Sequence, residues 1–171
     1  MSQEFLLQSK DLSKAFSIGG LFKETKPIRA VDAVSFKVDY AENAALVGES
    51  GCGKSTLGKL TLGLFRPDSG RLIYEGKDVW SLDKKEFAEF RKNAQIIHQD
   101  PYTSLNPVRT IFQSLAPALI QNKMVPNERM AFEKAKELLT LVGLTPPEDF
   151  LNRYPARMSG GQMQRITLAR A

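Results

Sequence analysis

Ala44-Ala45-Leu46-Val47-Gly48-Glu49-Ser50-Gly51-Cys52-Gly53-Lys54-Ser55-Thr56 is the stretch that decides how this chain folds. A compact apolar run enters a glycine-rich loop, and a lysine with two hydroxyl residues closes it. Residues 44–47 read as a buried strand, where both faces of the backbone are covered. Beyond the loop, Leu57, Leu60, Leu64 and Phe65 recur at helical spacing, and Pro67-Asp68-Ser69-Gly70 ends the pattern. Strand, glycine loop and helix form the context in which the pattern G-x-x-x-x-G-K-[ST] carries chemistry. Gly48, Gly53, Lys54 and Ser55 hold its fixed places.

The chemistry explains each residue type. A polyanion needs many donors converging in a small volume, and glycines let the backbone curl so that successive N–H groups point inward. The helix that follows adds unpaired N–H groups and the positive end of its dipole. Lys54 brings a mobile point charge to the β- and γ-phosphates, and Ser55 offers a hydroxyl to Mg²⁺. Gly48, Glu49, Ser50, Gly51, Cys52, Gly53, Lys54, Ser55 and Thr56 therefore read as a loop that binds the triphosphate of ATP with Mg²⁺. Cys52 has two readings: a thiol activated by Lys54 and the helix start, or a residue filling a loop position with its side chain facing away. The second is preferred.

Bulk properties narrow the class. With 171 residues, 42% apolar and 25% charged, the chain suits one globular domain with a real core. No apolar run approaches the ~20 residues that span a bilayer, and the first residues lack the pattern of a secretory signal. One cysteine excludes an internal disulfide framework and suits a reducing cytosol. The formal charge of +5 reflects a mixed surface rather than a nucleic-acid groove, since no basic stripe interleaves with aromatics. Lys23, Lys26 and Arg29 cluster, but are too few for a polybasic anchor.

Along the chain, Val34, Phe36 and Val38 alternate with Ser35 and Lys37 as in a half-buried strand. Leu72-Ile73-Tyr74-Glu75-Gly76 reads as a strand and turn, and residues 94–98 as another strand. From about Pro101 the character becomes helical. Asn127 is placed to cap a helix with Ala131, Ala135, Leu138, Leu139 and Val142 on one face, closed by Gly143. Pro146-Pro147 marks a loop, and a last helix begins near Ser159.

A second unusual stretch is Met158-Ser159-Gly160-Gly161-Gln162-Met163-Gln164-Arg165. A serine and two glycines at a helix start make another anion-binding end, although alone they would more often be a linker or cap. Taken with the phosphate loop, this stretch resembles the signature motif of ATP-binding-cassette (ABC) ATPases, with Met158 in place of the usual leucine. Ile96-Ile97-His98-Gln99-Asp100 is similar to the Q-loop of the same family. More narrowly, Gln99-Asp100-Pro101-Tyr102-Thr103-Ser104-Leu105-Asn106-Pro107, Asn152-Arg153-Tyr154-Pro155 and Ala30-Val31-Asp32-Ala33-Val34-Ser35-Phe36 resemble the oligopeptide/dipeptide importer branch.

The resemblance implies an α/β fold of the P-loop NTPase kind, an ABC-type cassette. Residues 1–98 would form an antiparallel β layer and a partial RecA-like core with the phosphate loop. Residues 99–171 would form the Q-loop and a helical subdomain with the signature. Catalytic roles fall to Lys54 and Gln99, metal contacts to Ser55 and Gln99, and contacts to a phosphate held by the opposite subunit to Ser159, Gly160, Gly161 and Gln162. An aromatic stacks on adenine in this family; Phe16 is the best match, with Phe22 as competitor. Implied partners are a second ATP-binding subunit (identical or different), transmembrane permease subunits and an extracellular or periplasmic substrate-binding protein, with no nucleic acid. The implied location is cytoplasmic, on the inner face of the membrane.

The family pattern continues past the signature helix with an Asp-Glu strand, a D-loop and a switch histidine, none of which lies in residues 1–171; His98, the only histidine, precedes Gln99. The expectation is a fragment that holds ATP without hydrolysing it, with an open sheet edge beside residues 44–47. Rival readings are a soluble ABC ATPase acting on nucleic acid or the ribosome, an ATP-binding fragment without activity, and a P-loop small-molecule kinase. The kinase leaves Gln99 and residues 159–162 unexplained.

Overall fold

The computed structural model describes residues 5–18 and 26–171, so Phe22 and Lys23 lie outside the described residues. The chain divides into two compact units, Met1–Ala94 and Gln95–Ala171.

The first unit is built on a four-stranded antiparallel sheet in the order β2-β1-β3-β4. Its strands are β1 (Leu7–Ile18), β2 (Lys26–Val38), β3 (Ser69–Tyr74) and β4 (Lys77–Asp78). In β2 the alternation read from the sequence is present: Val34, Phe36 and Val38 are half-buried while Ser35 and Lys37 face solvent. The β1–β2 ladder is irregular near Ser9. There the buried Ser9 hydroxyl donates to Val34 O (3.1 Å) and accepts from Phe36 N–H (2.9 Å), satisfying backbone groups beside the irregularity. Two apolar clusters cover the sheet. Leu12, Leu72, Val79 and Phe90 gather with helix α2 (Lys84–Asn93), whose start is closed by a reciprocal Asp83–Glu86 capping box. Val31, Leu57 and Leu60 gather with helix α1 (Lys54–Thr61).

α1 is shorter than its apolar spacing suggested. Gly63 takes the left-handed conformation (φ +62°), and Leu64 N–H turns back to Lys59 O (2.9 Å) while Gly63 N–H bonds Leu60 O (3.0 Å). This closure ends the helix before Leu64 and Phe65, ahead of the Pro67 break.

The two expected strands at residues 44–47 and 94–98 are not strands. Both segments run without ladder hydrogen bonds, and Val47 is 91% exposed. A strand is a pairing rather than a local propensity, and neither segment finds a partner strand among the described residues.

The second unit is helical: α3 (Pro101–Ser104), α4 (Ile111–Gln121), α5 (Glu128–Leu141), α6 (Glu148–Leu151) and α7 (Gly160–Arg170). Asn127 Oδ1 accepts from Met130 N–H at 3.0 Å, and Ala131, Ala135 and Leu139 are fully buried, as the sequence pattern requires. Gly143 (φ +74°) ends α5 by the same closure as α1, with Leu144 N–H bonding Leu139 O at 2.8 Å. Leu139 packs in one core with Leu115, Leu151, Met163 and Ile166. Among the described residues no helix is long and apolar enough to cross a membrane.

Truncating Leu139 to alanine in this dense core should cost about 2–5 kcal/mol. The same truncation at the exposed Met130 of α5 should stay within about 0.5 kcal/mol. Denaturant titration of the two variants checks the pair.

Candidate functional site

The glycine loop turns at Gly51 (φ +84°) and Gly53 (φ +96°). Both angles lie where a Cβ is strained, and at Gly53 there is no space for one: it would sit 2.0 Å from the carbonyl oxygen of Ala30 in β2. Gly53 is thus the point where the irregular loop presses against the sheet and turns into α1. The first intrahelical bond runs from Leu57 N–H to Gly53 O (2.9 Å). No side chain caps this end and no acidic residue lies in its first turn. The N–H groups of Lys54, Ser55 and Thr56 therefore remain unpaired by the helix.

Lys54 lies across the loop. Its Nζ donates to Gly48 O (2.7 Å) and Glu49 O (2.5 Å) and approaches Cys52 Sγ at 3.5 Å. A Cβ on Gly48 would come within 2.9 Å of that sulfur. Cys52 is exposed, yet its side chain folds toward Lys54 and Gly48 instead of facing away. The turn that bonds Cys52 N–H to Glu49 O brings the sulfur inward, and the bare Gly48 leaves room for it. Ser55 is exposed and its hydroxyl has no partner among the described residues. The loop therefore offers a cation, a row of unpaired N–H groups and a free hydroxyl, the donor set a polyphosphate with a hard divalent ion requires.

Phe16 lies in β1 of the same unit, exposed and edge-on to Phe65 with ring centroids 5.5 Å apart. Its strand is braced by Asp68, which pairs with Lys14 Nζ (2.6 Å) and accepts from Ala15 N–H (2.7 Å). The Lys14 hydrogen bond, then that of Ala15 N–H, holds the Asp68 carboxyl below its ordinary pKa. An exposed ring on a braced strand suits a stacking platform.

Gln99 and the signature residues belong to the second unit. Gln99 is exposed in the irregular segment before α3, and its amide has no partner among the described residues. Asp100, which sequence reasoning took only as part of the Gln99 segment, caps α3 by accepting from Tyr102 N–H at 2.8 Å. An Asp-Pro pair at a helix start is the signal that could have found it. At α7, Ser159 Oγ accepts from Gln162 N–H (3.3 Å) and Gln162 Oε1 accepts from Ser159 N–H (2.9 Å), a closed capping box. The N–H groups of Gly160 and Gly161 are the ones left open at this end. Neither glycine is demanded by the chain's own packing. A Cβ on Gly161 would meet nothing within 4 Å, and one on Gly160 only Tyr102 Oη at 3.6 Å. Met158, which departs from the usual leucine, is buried in the helical core, where an unbranched apolar side chain of similar volume fits.

Comparison with known proteins bears on this arrangement. A family described as ABC transporter matches residues 31–171. The chain is 42% identical over 174 residues to the oligopeptide transport ATP-binding protein AppF of Bacillus subtilis, covering 99% of this chain and 52% of that one. It is 44% identical over 168 residues to the probable peptide ABC transporter ATP-binding protein y4tS of Sinorhizobium fredii, covering 97% and 47%. It is 40% identical over 169 residues to the dipeptide transport ATP-binding protein DppF of Escherichia coli, covering 98% and 50%. The chain thus spans about half the length of the curated relatives it matches. Among solved structures it is similar to the dimeric MJ0796, a bacterial ABC transporter cassette, with a TM-score of 0.76 and 26% identity over 96% of this chain and 68% of that one.

Replacing Gly53 by alanine should destabilise the first unit by at least about 1–3 kcal/mol, because strain at φ +96° adds to a backbone collision. Alanine at Gly161 should leave the melting temperature unchanged or slightly raised, since open space surrounds it and alanine favours helix. Thermal unfolding of both variants tests the contrast.

Proposed function

This chain belongs to the ABC transporter family, and from that premise we propose that it is the ATP-binding part of an importer that couples ATP binding and hydrolysis to uptake of oligopeptides or dipeptides. The observation that carries the proposal is the uncapped start of α1, where Gly53 makes the turn and Lys54 lies across the loop. The peptide class is supported by the relatives named for oligopeptide, peptide and dipeptide transport.

In this reading the N–H groups of Gly51 and of residues 53–56 wrap the β- and γ-phosphates, and Lys54 exchanges its bonds to Gly48 O and Glu49 O for phosphate oxygens. Ser55, through Oγ, and Gln99, through its amide, are the residues that would hold Mg²⁺, and the ion would supply charge neutralisation across the phosphates. Gln99 also orients the attacking water. Phe16 stacks on adenine. Ser159, Gly160, Gly161 and Gln162 face the γ-phosphate held by Lys54 of a second subunit, identical or different, so that ATP draws two cassettes together. The bare surface at Gly161 suits this role, since only an approaching molecule needs the space a Cβ would take. Residues 1–98 carry the nucleotide loop and residues 99–171 the signature. The pair works on the inner face of a membrane with permease subunits, fed by a substrate-binding protein outside, and takes no nucleic acid. A polypeptide of residues 1–171 alone is expected to bind ATP without turning it over, because the Asp-Glu strand that supplies the water-activating base in the family pattern does not lie in these residues.

Lys54→Ala should weaken ATP binding by about ten- to a hundredfold, the range for losing a charged hydrogen-bond donor. Equilibrium titration with a fluorescent ATP analogue measures it, and an unchanged affinity would sink the nucleotide assignment. Gly161→Ala should keep the affinity but lose ATP-driven pairing, read by light scattering. For the 171-residue polypeptide, phosphate release should not exceed that of its Lys54→Ala variant.

A further inference from the structure

Residues 65–68, which lead from the end of α1 to β3, hold the end of β1 residue by residue. Asp68 N–H donates to Ser13 O (2.9 Å), Asp68 Oδ1 accepts from Lys14 Nζ (2.6 Å) and Asp68 Oδ2 from Ala15 N–H (2.7 Å). The Phe65 ring then stands edge-on to that of Phe16. This is where β1 loses a ladder partner. On the β3 side the last pair is Ser13 with Ser69, and from Lys14 to Ile18 only β2 continues beside it among the described residues. A strand end paired on one edge frays unless something takes the other edge. Residues 65–68 take it.

Phe65 in turn belongs to α1. Its N–H and that of Leu64 both bond Lys59 O (3.3 and 2.9 Å), and its ring packs on the cluster of Val31, Leu57 and Leu60. Lys59 Nζ lies 5.4 Å from the ring centroid. A ring anchored by backbone and core on one side and set against Phe16 on the other carries the orientation of α1 to the strand end. Phe16 remains 37% exposed, so its contact with Phe65 leaves ring surface for a base. An exposed phenylalanine without neighbours would sample several rotamers and lose that freedom on stacking. Here the edge-on contact and Lys14 Nζ, 5.9 Å from the Phe16 centroid, restrict it beforehand. We propose that Phe65 and Asp68 are positioning residues that fix the Phe16 ring in one frame with α1, so that adenine meets its platform while the phosphates are held at the loop. The proposal rests on the assignment of Phe16 and of the phosphate loop given above, and adds the part of the fold that sets their separation.

Equilibrium titrations of the intact protein with Mg²⁺-ATP and with Mg²⁺-tripolyphosphate, which has no base, separate this role from general damage. Phe65→Leu keeps apolar bulk on the α1 cluster and should lower ATP affinity about three- to tenfold, the span of one edge-to-face contact. Its tripolyphosphate affinity should stay within about twofold of the wild type. Phe65→Tyr, which keeps the ring, should bind ATP as the wild type does. Unchanged ATP affinity in Phe65→Leu, an equal loss for both ligands, or a loss in Phe65→Tyr as large as in Phe65→Leu overturns the proposal. In the Phe16→Ala background Phe65→Leu should cost nothing further, because no platform is left to position, and additive losses overturn it too. If Phe65→Leu does not fold, Asp68→Ala decides, since it changes only an exposed side chain. The same base-selective loss there supports the proposal, and unchanged ATP affinity refutes it. Phe16→Ala alone tests the underlying assignment. If it leaves ATP affinity intact, adenine stacks elsewhere and the proposal falls with the platform; if it weakens ATP binding and the Phe65 and Asp68 variants do not, the proposal alone fails.

Discussion

The carbonyl of Ala30 and the bare α-carbon of Gly53 occupy space that no side chain could share, and the candidate site is organised around that approach. Because Gly53 sits against β2 in the left-handed region, the chain leaves the loop and enters α1 without a capping residue. A serine or aspartate there would satisfy the helix start and contribute about 1 kcal/mol of stability. Its absence leaves three N–H groups directed outward beside a lysine. Stability forgone at one backbone position thus becomes affinity for an anion, the usual sign of a functional site in an otherwise consistent fold.

The start of α7 solves the same problem differently. Ser159 and Gln162 close on each other, so this end is stable by itself and offers only the N–H groups of Gly160 and Gly161. The residue after these glycines is Gln162, where Lys54 directly follows Gly53 at α1. An end with two open donors and no lysine following its glycines holds a phosphate more weakly than α1 with Lys54 does. That asymmetry suits a division of labour in which one surface keeps the nucleotide and the other responds to its presence.

How much of this was legible beforehand follows from the range of the forces involved. Asn127, the buried stripe of α5 and the Gly143 stop were readable because capping and helical periodicity act within a few residues. The loop glycines and Lys54 were readable for the same reason. Residues 44–47 and 94–98 were misread as strands because apolar content alone cannot supply a ladder partner. α1 ends earlier than its apolar spacing implies because Gly63 takes the left-handed conformation, and the Cys52 side chain turns inward, against the sequence expectation, because its direction depends on Gly48 and Lys54.

The sequence by itself determined the chemistry of the two helix starts, since glycine, serine and lysine at fixed spacing dictate which donors a backbone can present. Tertiary structure alone decided that Gly53 has no alternative, because the atom that excludes a Cβ belongs to Ala30, twenty-three positions earlier. It also decided which glycines are spoken for by the fold and which, like Gly161, face open space. Those distinctions arise from contacts between distant segments, and no local pattern encodes them.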